Sequence, residues 1–305
     1  MVFVLGIERS ATTWISNILD MHPGTELFME PLSANISGFK DWPNRFKKIQ
    51  DLSDKAHYFR EEFEQLKKRK RFLLTRISDT NLAWNTDMMA ARKWWNISPK
   101  ARDFFELNFH RIKGREYPSK SAKPIPVIKE LRLNYNAELI PKISPAAKVI
   151  VILRNYAGNI RSIEHQFKQE NLQELAELLR AKYGNTNPTA IFDYWASSYN
   201  TLLGALERTG TEFMVLQQEE LIRSGKKSAN ELLSFIGLEP ASAVYDYLAA
   251  SNKKGTGKHS TDRDHDAILE KNRRAESELQ PLLRKQIDRI SWHTLLKERI
   301  IKTEG

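Results

Sequence analysis

VFVLGIERSATTW, residues 2–14, runs from an apolar stretch through a polar turn into a helical pattern. Val2 to Gly6 is short and apolar, which suits a buried strand. From Thr12 to Met21 the residues Trp14, Ile15, Ile18 and Leu19 recur on one side of a helix, and His22-Pro23-Gly24 stops it. The turn Gly6-Ile7-Glu8-Arg9-Ser10-Ala11-Thr12-Thr13-Trp14 therefore joins a strand to a helix. In an α/β protein that is where an anion binds, because successive backbone N–H groups and the helix N-terminus point the same way. Arg9 adds a fixed positive charge, and Ser10, Thr12 and Thr13 add hydroxyl donors. A nucleotide-hydrolysing P-loop needs GxxxxGK[ST]. Counted from Gly6, its Gly-Lys falls on Ala11 and Thr12, so the match fails, and the lysine and the hydroxyl–Mg²⁺ arrangement fail with it. Taken alone, the segment reads equally well as a strand–helix turn with ordinary Ser/Thr capping.

The same alternation recurs down the chain. Pro126 to Lys129 and Lys148 to Leu153 read as strands, the second strongly so because it is β-branched and bounded by helix-like sequence. Glu212 to Leu216 is a further strand before a helix near Ser228 to Ile236, which Gly237 ends. Strands alternating with helices predict an α/β fold in three layers, a mostly parallel sheet flanked by helices. Residues 39 to 117 differ in texture. They hold Trp42, Trp84, Trp94 and Trp95, four of the seven tryptophans, and the basic run Lys67 to Arg71. The stretch reads as a mainly helical insertion between early strands, placed to cover or shape a site; the basic run itself reads first as a solvated helix face. Residues 251 to 265 form a polar basic loop, and Glu270 to Arg299 a charged helical tail. No internal repeat or low-complexity linker divides the chain, so a single domain over 1–305 is expected.

Composition narrows the function. With 48 Lys plus Arg against 38 Asp plus Glu the formal charge is +10, which points to anionic partners: phosphate, sulfate, acidic glycan, lipid head group or nucleic acid. The balance of 41 % hydrophobic and 28 % charged residues excludes wholesale disorder or a fibrous repeat. No apolar run reaches the roughly 18 residues of a membrane helix, which leaves only peripheral membrane contact. Met1 to Ile7 is too short for a signal peptide and lacks a basic start and a cleavage site. Zero cysteines exclude disulfides, thiolate metal sites and a cysteine nucleophile, and fit a cytoplasmic protein. No HExxH or DxDxDG cluster offers a metal site. No RNA- or DNA-binding motif appears, and the aromatics are not interleaved with the basic residues, so nucleic acid is not expected as a partner.

The segment GIERSATTWISNILDMHPGTELFMEP resembles the phosphosulfate-binding loop of the sulfotransferase family, where a strand leads into [RK]SGTT[WL], a helix, a His-Pro turn and an acidic residue. Here these are Arg9-Ser10-Ala11-Thr12-Thr13-Trp14, then His22-Pro23, then Glu30-Pro31. Ala11 stands where the family usually has Gly. A β-carbon resists positive φ, so a right-handed conformation is expected there. A second match is Arg154 at a strand end with Ser162 eight residues on. In the family such a pair holds the 3′-phosphate of the donor nucleotide, and a guanidinium fork suits phosphate. Tyr156 stands where the family commonly has Pro. Softer matches are Lys129, which resembles a lysine reaching the transferring group, and Gln218, where an aromatic residue often contacts the adenine. The loop Lys254, Gly255 to Lys258 resembles a basic glycine loop over the nucleotide. For these three an ordinary structural role stays open.

The resemblance implies transfer of a sulfuryl group from 3′-phosphoadenosine 5′-phosphosulfate to a hydroxyl or amine, without a metal, by in-line displacement. Arg9, Lys129 and the loop N–H groups would stabilise charge, and Glu30 would be the base, as in the carbohydrate and tyrosyl branches that the segment resembles more than the small-phenol branch. His57, His110 and His165 are other bases to consider. The acceptor would be a carbohydrate, a lipid or another small molecule. Two other readings stay open: a nucleotide-dependent kinase with a degenerate P-loop, and a non-catalytic binder of acidic glycan.

Overall fold

In the computed structural model the residues described are 1–32, 46–79 (side chains as far as Lys68), 120–170, 172–252, 264–289, 293 and 296. Five strands form one sheet: β1 Val2–Leu5, β2 Thr25–Met29, β3 Ile125–Lys129, β4 Lys148–Leu153 and β5 Glu212–Gln217. They lie in the order β2-β3-β1-β4-β5, and every pairing is parallel. Helix α1, Thr12–Asp20, connects β1 to β2, and α2, Leu52–Asp79, lies between β2 and β3. Between β4 and β5 run α3 Tyr156–Lys168, α4 Gln173–Tyr183 and α5 Pro188–Arg208. After β5 come α6 Gln218–Phe235, α7 Ser242–Ser251 and α8 His265–Arg289.

Parallel strands need crossovers, and crossovers bury both sheet faces. Strand periodicity sorts the side chains accordingly. Phe3, Leu5, Val149, Val151 and Leu153 join one core with Phe59 and Phe63 of α2, Ile160 of α3, Trp195 and Tyr199 of α5 and Leu279 and Leu283 of α8. Their neighbours Val2, Val4, Ile150 and Ile152 join the other, with Trp14, Ile15, Ile18 and Leu19 of α1 and Leu232 and Leu233 of α6. The result is the three-layer α/β architecture expected from the sequence.

Three elements depart from that expectation. Strand β2 follows the His-Pro turn, where Thr25 and Glu26 give its sequence a mixed, polar texture. Both are buried: Thr25 Oγ1 donates to the Leu19 carbonyl (2.5 Å), and Asp20 Oδ1 accepts from Leu27 N (2.9 Å). The helix after β5 starts at Gln218, ten residues before the expected start, and bends at Gly225, whose φ is 27°. Glu219 and Glu220 in its first turn complement the positive end of the helix dipole. Helix α8 begins at His265, ahead of Glu270. The expected insertion is helical over 52–79. Residues 80–117, Trp42 and His110 lie outside the described residues. Among the described residues no helix is long and apolar enough to cross a membrane.

Candidate active site

A cleft of about 300 Å³ opens at the C-terminal ends of the strands, and each of the five delivers a residue to its wall. The loop after β1 brings Arg9, Ala11, Thr12, Thr13 and Trp14; β2 brings Glu30, β3 Lys129, β4 Arg154 and β5 Gln218. Open parallel sheets bind ligands at this edge, where neighbouring connections leave in opposite directions. Here β1 lies between β3 and β4.

The loop after β1 is held from several sides. Gly6 N donates to Asn134 Oδ1 (3.3 Å) while Asn134 Nδ2 donates to the Gly6 carbonyl (2.6 Å). A Cβ on Gly6 would sit 2.6 Å from Ser10 Oγ and 2.8 Å from the Ile152 carbonyl, so the turn closes only on glycine. Ser10 is fully buried and donates to the Ile7 carbonyl (2.7 Å); its hydroxyl braces the loop and does not line the cleft. Ala11 corrects the sequence expectation. It is left-handed (φ 69°, ψ 18°), as is Arg9 (φ 67°). A left-handed L-residue costs about 1–2 kcal/mol, and the surrounding hydrogen bonds, including Arg154 Nη1 to the Arg9 carbonyl (3.0 Å), hold the loop there. Of five described non-glycine residues with positive φ, four line the cleft: Arg9, Ala11, Glu30 and Leu172. Strain concentrated at one place is a mark of a functional site. The N-cap of α1 makes no side-chain hydrogen bond, so its first N–H groups are offered at the cleft.

Met29 is in register with Lys129, and Glu30 N donates to the Lys129 carbonyl (2.6 Å). The two side chains meet across that register: buried Lys129 Nζ pairs with Glu30 Oε1. Next in the chain, Glu130 turns inward. Its Oε2 accepts from Leu32 N (2.8 Å) and its Oε1 from Arg132 N (3.0 Å), which ties the segment after Glu30 to the end of β3. Burial pushes the Glu130 carboxyl above its ordinary value and the charge of Glu30 adds to the rise, while Arg132 opposes it.

Arg154 and Ser162 both come to Arg9, but differently. Arg154 lines the cleft. Ser162, in the second turn of α3, stands behind Arg9 and accepts from its Nε (3.1 Å) without lining the cleft. Gln218 is buried in the wall, and its Oε1 has no hydrogen-bond partner among the described residues. Trp14 Nε1 donates to buried Ser251 Oγ (3.0 Å), and its ring meets that of His265 edge-on at 5.0 Å. Burial lowers the His265 pKa, against the nearby Asp266 and Asp264 charges. His57 pairs with Glu61 (3.1 Å) and is exposed, as is His165; neither lines the cleft, nor does any α2 residue whose side chain is described. Lys254, Gly255 and Lys258 lie outside the described residues. Glu8, Leu131, Leu172, His265 and Ile268 complete the wall, and the sequence reading marked none of them for it. They stand outside the quoted motifs or, in Glu8, at an unmarked position within one; a short motif cannot signal what tertiary packing brings in. No group of three or more His, Asp or Glu that could hold a metal occurs among the described residues.

A family model described as "Sulfotransferase family" matches residues 2–242. Similar solved structures include the sulfotransferase domain from the Synechococcus PCC 7002 olefin synthase, 17 % identical over 90 % of this chain and 86 % of that one, TM-score 0.45. The sulfotransferase domain from the curacin biosynthetic pathway is 13 % identical over 92 % and 97 %, TM-score 0.49. A mouse sulfotransferase complexed with PAP is 13 % identical over 93 % and 84 %, TM-score 0.39. Comparison with curated protein sequences finds no significant match.

Proposed function

The chain belongs to the sulfotransferase family, and we propose that it takes the sulfuryl group from 3′-phosphoadenosine 5′-phosphosulfate and places it on a hydroxyl or amine of a carbohydrate, lipid or other small acceptor. One observation carries the reading: an uncapped helix N-terminus, three cations (Arg9, Lys129, Arg154) and one carboxylate paired with a cation (Glu30) share a single cleft. The fit to the donor is chemical. Fixed cations and outward N–H groups suit its phosphates, and the buried Gln218 carbonyl oxygen offers an acceptor for a nucleotide's N–H group.

When bound, the donor supplies the sulfuryl group and a nucleotide leaving group. Arg9, Lys129 and the first N–H groups of α1 stabilise negative charge where it develops. Glu30 accepts the proton that the acceptor loses. Arg154 holds the 3′-phosphate, and Ser162 supports Arg9 from behind. Trp14 and Gln218 shape the end that receives the base. Helix α8, past the matched stretch, buries Leu279 and Leu283 in the core of β1 and β4, which supports a single domain over 1–305.

The test is a thermal-shift titration of the full chain with 3′-phosphoadenosine 5′-phosphate and with ATP plus Mg²⁺. A ligand at a hundred times its Kd stabilises the native state by about 2.7 kcal/mol. Stabilisation by the 3′-phosphorylated nucleotide, with nucleotide release on incubation of the donor with acceptors, is expected. A preference for ATP with Mg²⁺ would point to a kinase, and no response to either to a binder of acidic glycan.

A further inference from the structure

We infer that Asn272, on α8, is a positioning residue that aims Arg154 at the donor's 3′-phosphate; the inference rests on the donor reading above. Arg154 sits on the short link between β4 and α3, and two hydrogen bonds from its guanidinium orient its plane. Nη1 donates to the Arg9 carbonyl (3.0 Å), and Nη2 donates to Asn272 Oδ1 (3.3 Å). The other end of the same amide, Asn272 Nδ2, donates to Glu219 Oε1 (2.6 Å), which also accepts from Asn155 N (3.1 Å). Asn272 is therefore a buried bridge between a guanidinium and a carboxylate.

The chemistry selects an amide. Accepting from Arg154 and donating to Glu219 at once requires a carbonyl and an N–H on one short side chain. Aspartate would set a second carboxylate against Glu219, and leucine would offer neither bond. The backbone is shaped around this contact as well. A Cβ on Gly158, in the first turn of α3, would lie 1.9 Å from Asn272 Oδ1 and 2.5 Å from its Cγ. Helix α8 thus reaches Arg154 only because residue 158 has no side chain. One turn on, Glu276 Oε2 accepts from Asn155 Nδ2 (2.9 Å), a second tie that sets the register of α8 against the start of α3. Recognition of phosphate by a guanidinium depends on its planar orientation, so fixing that plane matters first for the 3′-phosphate. Helix α8 lies wholly beyond the residues that the family model matches.

The experiment is calorimetric titration of the full chain with 3′-phosphoadenosine 5′-phosphate and with adenosine 5′-phosphate, which lacks the 3′ group. Asn272→Ala should weaken the first about tenfold and the second less than twofold. In an Arg154→Ala background the same change should add nothing, because Asn272 acts through that guanidinium. Gly158→Ala keeps every polar group and displaces the amide by contact, so it should reproduce the selective loss; it also decides the matter should Asn272→Ala fail to fold. Equal losses for both nucleotides, or a loss that persists undiminished without Arg154, would make Asn272 a packing residue and overturn the inference. If the unaltered protein itself binds the two nucleotides equally, the donor reading fails first and the positioning role falls with it.

Discussion

Glu30 and Lys129 are opposite partners on neighbouring strand ends, set against each other by the register of Met29 with Lys129. In the proposed transfer the cation would neutralise the carboxylate before the acceptor arrives and then serve the sulfuryl oxygens, so the two residues should fail differently. Glu30→Gln keeps the shape and removes the basicity. It should leave donor affinity within about twofold and cut turnover by about two to four orders of magnitude in a steady-state assay. Normal turnover in that variant would make Glu30 a bystander. Lys129→Ala should lower kcat by about two to three orders of magnitude; an effect confined to KM would restrict it to binding. Arg154→Ala should weaken 3′-phosphoadenosine 5′-phosphate by about 2–4 kcal/mol and adenosine 5′-phosphate by clearly less, since the latter loses only the brace on the Arg9 carbonyl, measured by the same calorimetry.

At the scale of elements, the loop from β1 to α1 carries its own test. Ala11 holds a left-handed backbone that glycine would adopt without strain. Relief of about 1–2 kcal/mol is partly offset by the greater freedom of glycine in the unfolded chain. Ala11→Gly should therefore raise Tm by about 1–3 °C in a thermal melt, whereas Ala11→Val, β-branched at the same φ, should lower it. A melting temperature lowered by glycine would mean that the strain resides elsewhere. The same loop shows what the sequence made legible. β1 and β4 were readable because they are short, nearly all-apolar runs, β-branched in β4, and the position of the anion-binding turn followed from β1. Strand β2 was not, because its buried Thr25 and Glu26 look like surface residues until Leu19 and the sheet supply their partners. The backbone at Ala11 was misjudged because Cβ strain is a local quantity, while the bonds from Asn134 and Arg154 that help outweigh it come from elsewhere in the fold. His265 and Asn272 lie in a basic loop and a charged tail, where nothing local marks a residue that meets Trp14 or Arg154.

The whole molecule carries +10 charges yet buries several carboxyls, and two of them, Glu130 and Glu219, make its stability depend on pH above the ordinary carboxylate range. Burial raises Glu130 and Glu219 above the ordinary 4.5. A raised value means that the folded state binds the proton more tightly than the unfolded one, so their contribution is fully present below about pH 4.5 and is lost as pH rises through the folded value. Glu270 runs the other way. Hydrogen bonds from Arg273 and Arg274 lower it to about 2, so its contribution is present above 4.5 and is lost on acidification towards that value. The two windows do not overlap, which makes them separable. Glu130→Gln removes one proton from the linkage. It should flatten the fall in stability as pH rises above about 4.5 by up to about 1.4 kcal/mol per pH unit, read from urea midpoints at several pH values. The glutamine also sets an N–H against Leu32 N or Arg132 N, a pH-independent cost of about 1–3 kcal/mol. The slope therefore decides the matter, and the absolute midpoint does not. Glu270→Gln should leave that slope unchanged and act only in acid. An identical slope in the Glu130 variant would show that this carboxyl titrates in the folded protein as it does in the unfolded chain, and that the tie it makes between Leu32 and β3 is made by a group solvated well enough to keep its ordinary acidity.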